Sequence, residues 1–139
     1  MYRIHSVELA LSREGTEDAN RRFREAATPI FKFHKAVRSV SVIRMDGTRP
    51  YSVVREGVTR LEPEQVVSEV LLKFAMGKGM TEAEDKYYGV MKSIAISREK
   101  VKHLVYPKPD GILVVSTEPG FPMEKVDALS KLVITLRDW

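Results

Sequence analysis

Three histidines, His5, His34 and His103, are the side chains of this 139-residue chain that ordinarily titrate near neutrality, and the chain has no cysteine. They stand far apart, and none has a base, a nucleophile or a second metal ligand at a recognised spacing. No serine occupies a G-x-S-x-G elbow, so acyl-transfer chemistry finds no nucleophile. Without cysteine there is no thiolate catalysis, cysteine zinc site or disulfide scaffold. The residues therefore predict no catalytic group, no metal and no cofactor. His34 falls on the apolar face of a predicted helix, where a core or boundary histidine is expected. His103 shares a strand face with Val101 and Val105, where it serves structure or lines a cleft.

Other patterns resemble chemistry only superficially. Gly77-Lys78-Gly79 lacks the glycine spacing and following hydroxyl of a phosphate loop, and reads as a helix end with a lysine complementing the negative dipole. Glu82, Glu84 and Asp85 could ligate a hard cation, but they also suit a solvated helix face. Tyr87-Tyr88 could stack bases or enter a protein interface, and the missing basic stripe favours the interface. Met76, Met80 and Met91 supply adaptable apolar surface. Arg21, Arg22 and Arg24, with Lys32 and Lys35, are the one cationic set that could meet RNA or a ribosome. The first 60 residues carry 12 Lys/Arg against 7 Asp/Glu and the remainder 11 against 12, so the net +4 is a spread bias rather than a dense stripe.

The elements that must position these groups follow from periodicity. With 43% hydrophobic and 30% charged residues, the chain has material for one core and is unlike a disordered segment. No apolar run approaches a membrane span, and Arg3, His5 and Glu8 interrupt the N-terminal stretch, unlike a secretory signal. A soluble cytoplasmic protein is expected. Residues 1–15 form an appendage that fits either helix or strand, and residues 16–139 form the domain. Thr16 is a candidate cap for a first helix reaching about Ala36, with Pro29 as a kink or restart. A strand over 39–45, the Asp46-Gly47 turn and a strand over 49–55 make a hairpin, and Pro50 points to a sheet edge. Pro63 opens a second helix whose Val66, Val67, Val70, Leu71, Phe74 and Ala75 form a broad stripe. Strands over 90–97, 101–106 and 111–117 follow, and a last helix runs over 123–137. The order α-β-β-α-β-β-β-α, with tight turns inside each strand group, gives an α+β class.

That order over residues 17–137 resembles roadblock (dynein light chain) and profilin-like domains. The resemblance implies a five-stranded antiparallel sheet of order 2-1-5-4-3, with Ile112–Val115 central and 90–97 at an edge. Arg55-Glu56-Gly57, Arg98-Glu99-Lys100-Val101-Lys102 and the stretch Asp110–Pro119 resemble an uncharacterised archaeal (thaumarchaeal) family, which implies no activity.

The predicted edge, Val-Met-Lys-Ser-Ile-Ala-Ile-Ser, carries one lysine and no proline, although native edges are usually defended. Pairing with a two-fold mate would remove the liability. Val70, Phe74, Val90, Lys92, Ile94 and Ile96 are the expected dimer interface; a monomer with 81–88 folded over the edge is the other arrangement. The expected role is a non-enzymatic scaffold or regulatory module, and the resemblance implies a small GTPase or multiprotein assembly as partner. Two alternatives are a small-ligand sensor with a cleft near Phe31, His103 and Tyr106, and RNA binding through the arginine cluster.

Overall fold

A computed structural model describes residues 4–7 and 17–136 of the chain. Six strands form one antiparallel sheet: β1 (Ile4–Val7), β2 (Val37–Arg44), β3 (Tyr51–Arg55), β4 (Ile94–Ser97), β5 (Lys102–Lys108) and β6 (Gly111–Thr117), in the order β1-β3-β2-β6-β5-β4. Counted from the hairpin onward, the last five strands carry the 2-1-5-4-3 order. The helices are α1 (Glu17–Phe33), α2 (Glu64–Thr81), α3 (Asp85–Tyr88) and α4 (Val126–Thr135). The candidate cap Thr16 and the far end of the last predicted helix lie outside the described residues.

Strand alternation sorts the side chains onto two faces. Val40, Val42, Tyr51, Val53, Leu104, Tyr106, Leu113 and Val115 point to one face, where Phe23, Ala27, Ile30 and Phe31 of α1 and Leu129 and Val133 of α4 bury them. Ile43, Val105, Ile112 and Val114 point to the other, beneath Val67, Leu71 and Ala75 of α2. The Ile112–Val115 strand is apolar without alternation because both its faces are covered. It is flanked by β2 and β5, as a central strand must be.

Several boundaries differ from the sequence reading. The N-terminal segment supplies a strand, and β1 pairs along β3 from Ile4 opposite Arg55 to Val7 opposite Ser52, so the Pro50 strand is not the edge. Pro50 lies just before the ladder, which starts at Tyr51, and its missing N–H therefore blocks no pairing. The helix α1 runs through Pro29 without a break and ends at Phe33 rather than Ala36. Pro29 is exposed, so the carbonyl it leaves unbonded meets water, and Thr28 Oγ1 donates to Arg24 O at 2.9 Å. The edge strand is shorter than the expected 90–97. Ile94 pairs with Val105, and continuing that register backwards would set Lys92 against Pro107, which has no N–H to give. The ladder stops there, and Val90–Ser93 leaves the sheet.

The turns behave as their residues predict. Gly47 takes a left-handed φ of +83°, and Asp46 Oδ1 accepts from the Thr48 amide at 2.9 Å and its hydroxyl at 2.6 Å. Pro109-Asp110 closes the β5–β6 hairpin. Gly111 then passes so close to β2 that a Cβ would stand 2.1 Å from Ile43 O and 2.9 Å from Arg44 Cα. Both obstacles are backbone, so the strands themselves would have to part. Gly111→Ala is expected to cost about 3 kcal/mol, roughly 10 °C in melting temperature. Thermal unfolding followed by circular dichroism checks this.

Candidate functional site

The two sheet faces are unequally covered. On the first, α1 and α4 lie side by side; on the second, α2 lies alone over β2 and β6. A helix is about 10 Å wide and strands stand about 4.8 Å apart, so one helix leaves part of a six-stranded sheet open. The open part is the β4 side. Ile94 and Ile96 point onto this face, opposite Val105 and His103 of β5. Both isoleucines are half-buried. From α2, Phe74 sets its ring 5.1 Å from that of His103, and half-buried Val70 follows one turn earlier. Val70, Phe74, Ile94 and Ile96 are thus brought to one side of the molecule. Val90 and Lys92 lie just outside β4 and are exposed, Val90 by 75%.

Beyond β4 the sheet ends, and no strand among the described residues pairs with its outer edge. The 81–88 segment is helical, a 3-10 turn followed by α3, and no part of it pairs with that edge. Tyr87 and Tyr88 there are 72% and 85% exposed. Leu72, Met76 and Met80, four residues apart on the opposite flank of α2, are exposed as well. Met91 is half-buried, within 3.9 Å of the Thr81 hydroxyl. Where Val90–Lys92 leaves the sheet, a groove of about 930 Å³ opens between that segment, Pro107 and Ile134 of α4.

A second feature lies beneath α2. A cavity of about 50 Å³ is bounded by Ser39, Ser41 and Ser116 of the sheet, by His103, and by Arg60 and Glu62 from the loop before α2. Ser41 and Ser52 share a hydrogen bond of 2.8 Å, and Ser39 and Ser116 form a second cross-strand pair. Arg60 donates from Nη2 to Ser52 Oγ at 2.7 Å, and its Nη1 stands 3.7 Å from Glu62 Oε1. Arg60 Nε and His103 Nδ1 are buried without a hydrogen-bond partner among the described residues. Burial works against the charge on Arg60, with Glu62 and Glu64 opposing that effect.

The trio Phe31, His103 and Tyr106 does not converge. Phe31 and Tyr106 are fully buried in the α1/α4 core, and the Tyr106 hydroxyl donates to Val126 O at 3.1 Å. Residues 103 and 106 are an odd number apart on one strand, so they face opposite sides of the sheet. His103 lines the small cavity beneath α2, Tyr106 borders the groove beside α4, and Phe31 lines neither. The serines and Arg60 escaped the sequence reading. The available signal was Ser39 and Ser41 at period two ahead of Ile43, which places hydroxyls on a covered face.

The remaining candidates find structural roles or open surface. Lys78 sits in the last turn of α2 rather than a phosphate loop, donating to Lys108 O at 3.2 Å and standing 3.5 Å from Glu82. Glu82, Glu84 and Asp85 form no metal-holding group among the described residues. On α1, Arg21 pairs with Asp18 at 2.7 Å, Arg22 and Lys32 are exposed, and Arg24 is half-buried; Lys35 lies just beyond the helix. His34 follows the end of α1, edge-on to Phe121 at 5.1 Å, and its Nδ1 accepts from the Ala36 amide at 3.0 Å. The side chain of His5 lies outside the described residues. No described helix is long and apolar enough to cross a membrane.

No protein-family model matches the chain, and no curated protein matches it in sequence. Solved structures define the fold as that of roadblock domains. The gliding protein MglB of Thermus thermophilus is similar with a TM-score of 0.63 at 18% identity, over 90% of this chain and 90% of that one. An MglB in a tetrameric arrangement is similar with a TM-score of 0.61 at 18% identity, over 94% of this chain and all of that one. A Roadblock/LC7 domain from Streptomyces avermitilis gives 0.54 at 13%, over 79% and 90%. At these identities it is the fold that is shared.

Acid should weaken this structure through its histidines. Burial, with Lys125, Lys35 and Arg55 nearby, lowers the pKa of His34 below 6.5, and burial with Arg98 lowers that of His103 despite Glu62. The unfolded chain then binds protons more tightly than the native one. Stability is full above the unfolded value and declines as pH falls through it toward the folded values. Asp46 is also shifted downward, so its loss belongs to pH below about 4. Between about pH 7.5 and 5 the melting temperature should fall, and the His34→Gln/His103→Gln double variant should flatten that dependence. Melting curves across the range check it.

Proposed function

We propose that this chain is a non-enzymatic interaction module that works as a homodimer, β4 of one copy pairing antiparallel with β4 of its mate. The observation that carries this reading is the undefended end of the sheet. The β4 edge has backbone groups without a partner strand among the described residues, and beside it Val70, Phe74, Ile94 and Ile96 lie on a face that α2 leaves open. An unpaired edge flanked by apolar side chains is a template for another strand. A two-fold axis through β4 would supply that strand and bring the two α2 helices together over the open face. The tetrameric arrangement of one structural neighbour supports self-association as a use of this fold.

As a dimer the module would present a doubled sheet and two copies of its exposed Met76, Met80, Tyr87 and Tyr88 to a protein partner. Methionine and tyrosine suit such a surface, being adaptable and amphipathic respectively. The roadblock resemblance makes a small GTPase or a multiprotein assembly in the cytoplasm the partner of choice. The role is scaffolding or regulation, with no chemistry of its own.

Ile96→Lys tests the interface. A two-fold contact counts each substitution twice, so dimerisation should weaken by about 100-fold or more. Sedimentation at micromolar concentration should give the wild type twice the 15.8 kDa chain mass and the variant one chain mass, with unchanged circular dichroism. A monomeric wild type overturns the dimer, and a dimeric, folded variant overturns this interface.

A further inference from the structure

We propose that the cavity between α2 and the sheet binds a small oxyanion, a carboxylate or phosphate group, on Arg60. The site lies beneath α2 and shares Val70 and Phe74 with the proposed dimer face, so the two readings are tested by separate measurements.

The proposal starts from a count of donors and acceptors. Each serine pair, Ser39 with Ser116 and Ser41 with Ser52, spends one of its two hydroxyl hydrogens on the pair bond. One O–H per pair therefore remains to give. Ser52 also accepts from Arg60, which fixes the guanidinium against the sheet and leaves its Nε–H buried and unengaged. A buried donor left unpaired costs about 1–3 kcal/mol, more when it is charged. The lining thus holds surplus donors.

Its charge points the same way. Arg60 and Arg38 both line the cavity, against the single carboxylate of Glu62. Glu62 stands 3.7 Å from Nη1 of Arg60, beyond a short hydrogen bond, and leaves Nε unengaged. Arg38 donates from Nη1 to Glu118 and from Nη2 to Thr59 O, and adds positive field at the site. His103 Nδ1 is a further buried polar atom at the site and can take the tautomer the ligand requires. A planar cation with a free N–H, flanked by hydroxyl donors, is the arrangement that recognises carboxylate and phosphate oxygens.

Size limits the ligand. A cavity of about 50 Å³ has room for roughly four waters, or for an oxyanion of about five heavy atoms. Acetate and inorganic phosphate are the probes of that size. Val67, Val70, Leu71 and Phe74 of α2 form an apolar wall on one side of the site.

The test titrates the full chain with sodium acetate and, separately, with sodium phosphate, at one pH and constant ionic strength set with chloride. The Arg60 Nε–H resonance should shift saturably with at least one anion, while that of exposed Arg21 drifts only weakly. Melting temperature should rise with the same anion. The response identifies the source: acetate alone marks a carboxylate, phosphate alone a phosphate, both a general oxyanion site. Arg60→Gln should weaken binding by about 10-fold or more. No saturable shift with either anion overturns the proposal, as does equal binding by a folded Arg60→Gln. If that variant fails to fold, the wild-type resonance decides alone. Sedimentation with and without the anion separates this result from the dimer test.

Discussion

The helices on the first face of the sheet are held by cations that the strands send to carbonyl groups. From the end of β3, Arg55 donates through Nε to Val37 O at 2.7 Å and through Nη2 to Phe31 O and His34 O at 2.7 and 3.0 Å. Its guanidinium also lies over the Phe31 ring. The last carbonyls of a helix have no partner within it, and leaving them buried and unbonded is expensive. Arg55 satisfies them where α1 turns into β2. Lys108, at the end of β5, does the same for α4, reaching Val133 O at 3.1 Å and Leu136 O at 2.6 Å. Buried Lys102, on the same strand face, donates to Phe121 O at 2.7 Å and secures the loop that leads into α4. Charge thus sits at both ends of β5 and apolar Leu104 between them.

This arrangement completes one face and leaves the other unfinished. With α1 and α4 locked down, the first face is a continuous core from Phe23 to Val133. The second has α2 alone, which passes through Gly77 and Gly79 without breaking because Lys78 and the packed residues Leu71 and Ala75 hold it. The asymmetry has two consequences. Under α2, serines and an arginine replace aliphatic side chains on part of the sheet, so a small polar cavity remains. Beside α2, the β4 end of the face stays open. The open β4 end is surface that a second helix on this side would have removed, and the cavity is a gap that α2 itself does not fill.

Much of the architecture was legible because its causes are local. Alternation in β2, the Asp46-Gly47 and Pro109-Asp110 turns, and the i, i+4 stripe of α2 each depend on neighbours in sequence. Two of the misreadings share one origin, since each needed a contact distant in the chain. Pro107 shortened β4 through a register that pairs it with Lys92, 15 positions away in sequence. Pro50 suggested an edge that β1 in fact covers. Phe31, His103 and Tyr106 were grouped by chemistry although strand periodicity already put His103 and Tyr106 on opposite faces.

The dimer residues and the oxyanion residues show the same division more sharply. An apolar, thinly defended strand near residue 94 is visible in the residues themselves, because edge protection is a matter of composition. Arg60 is an ordinary loop arginine until the fold places Ser52 at its Nη2 and closes α2 above it. Composition and periodicity determined the α+β class, its turns and its helix faces. Tertiary packing alone decided which cations meet which carbonyls, which sheet face stays open and which donors are buried without a partner. Those outcomes depend on the desolvation of groups brought together from far along the chain, and no local pattern encodes that.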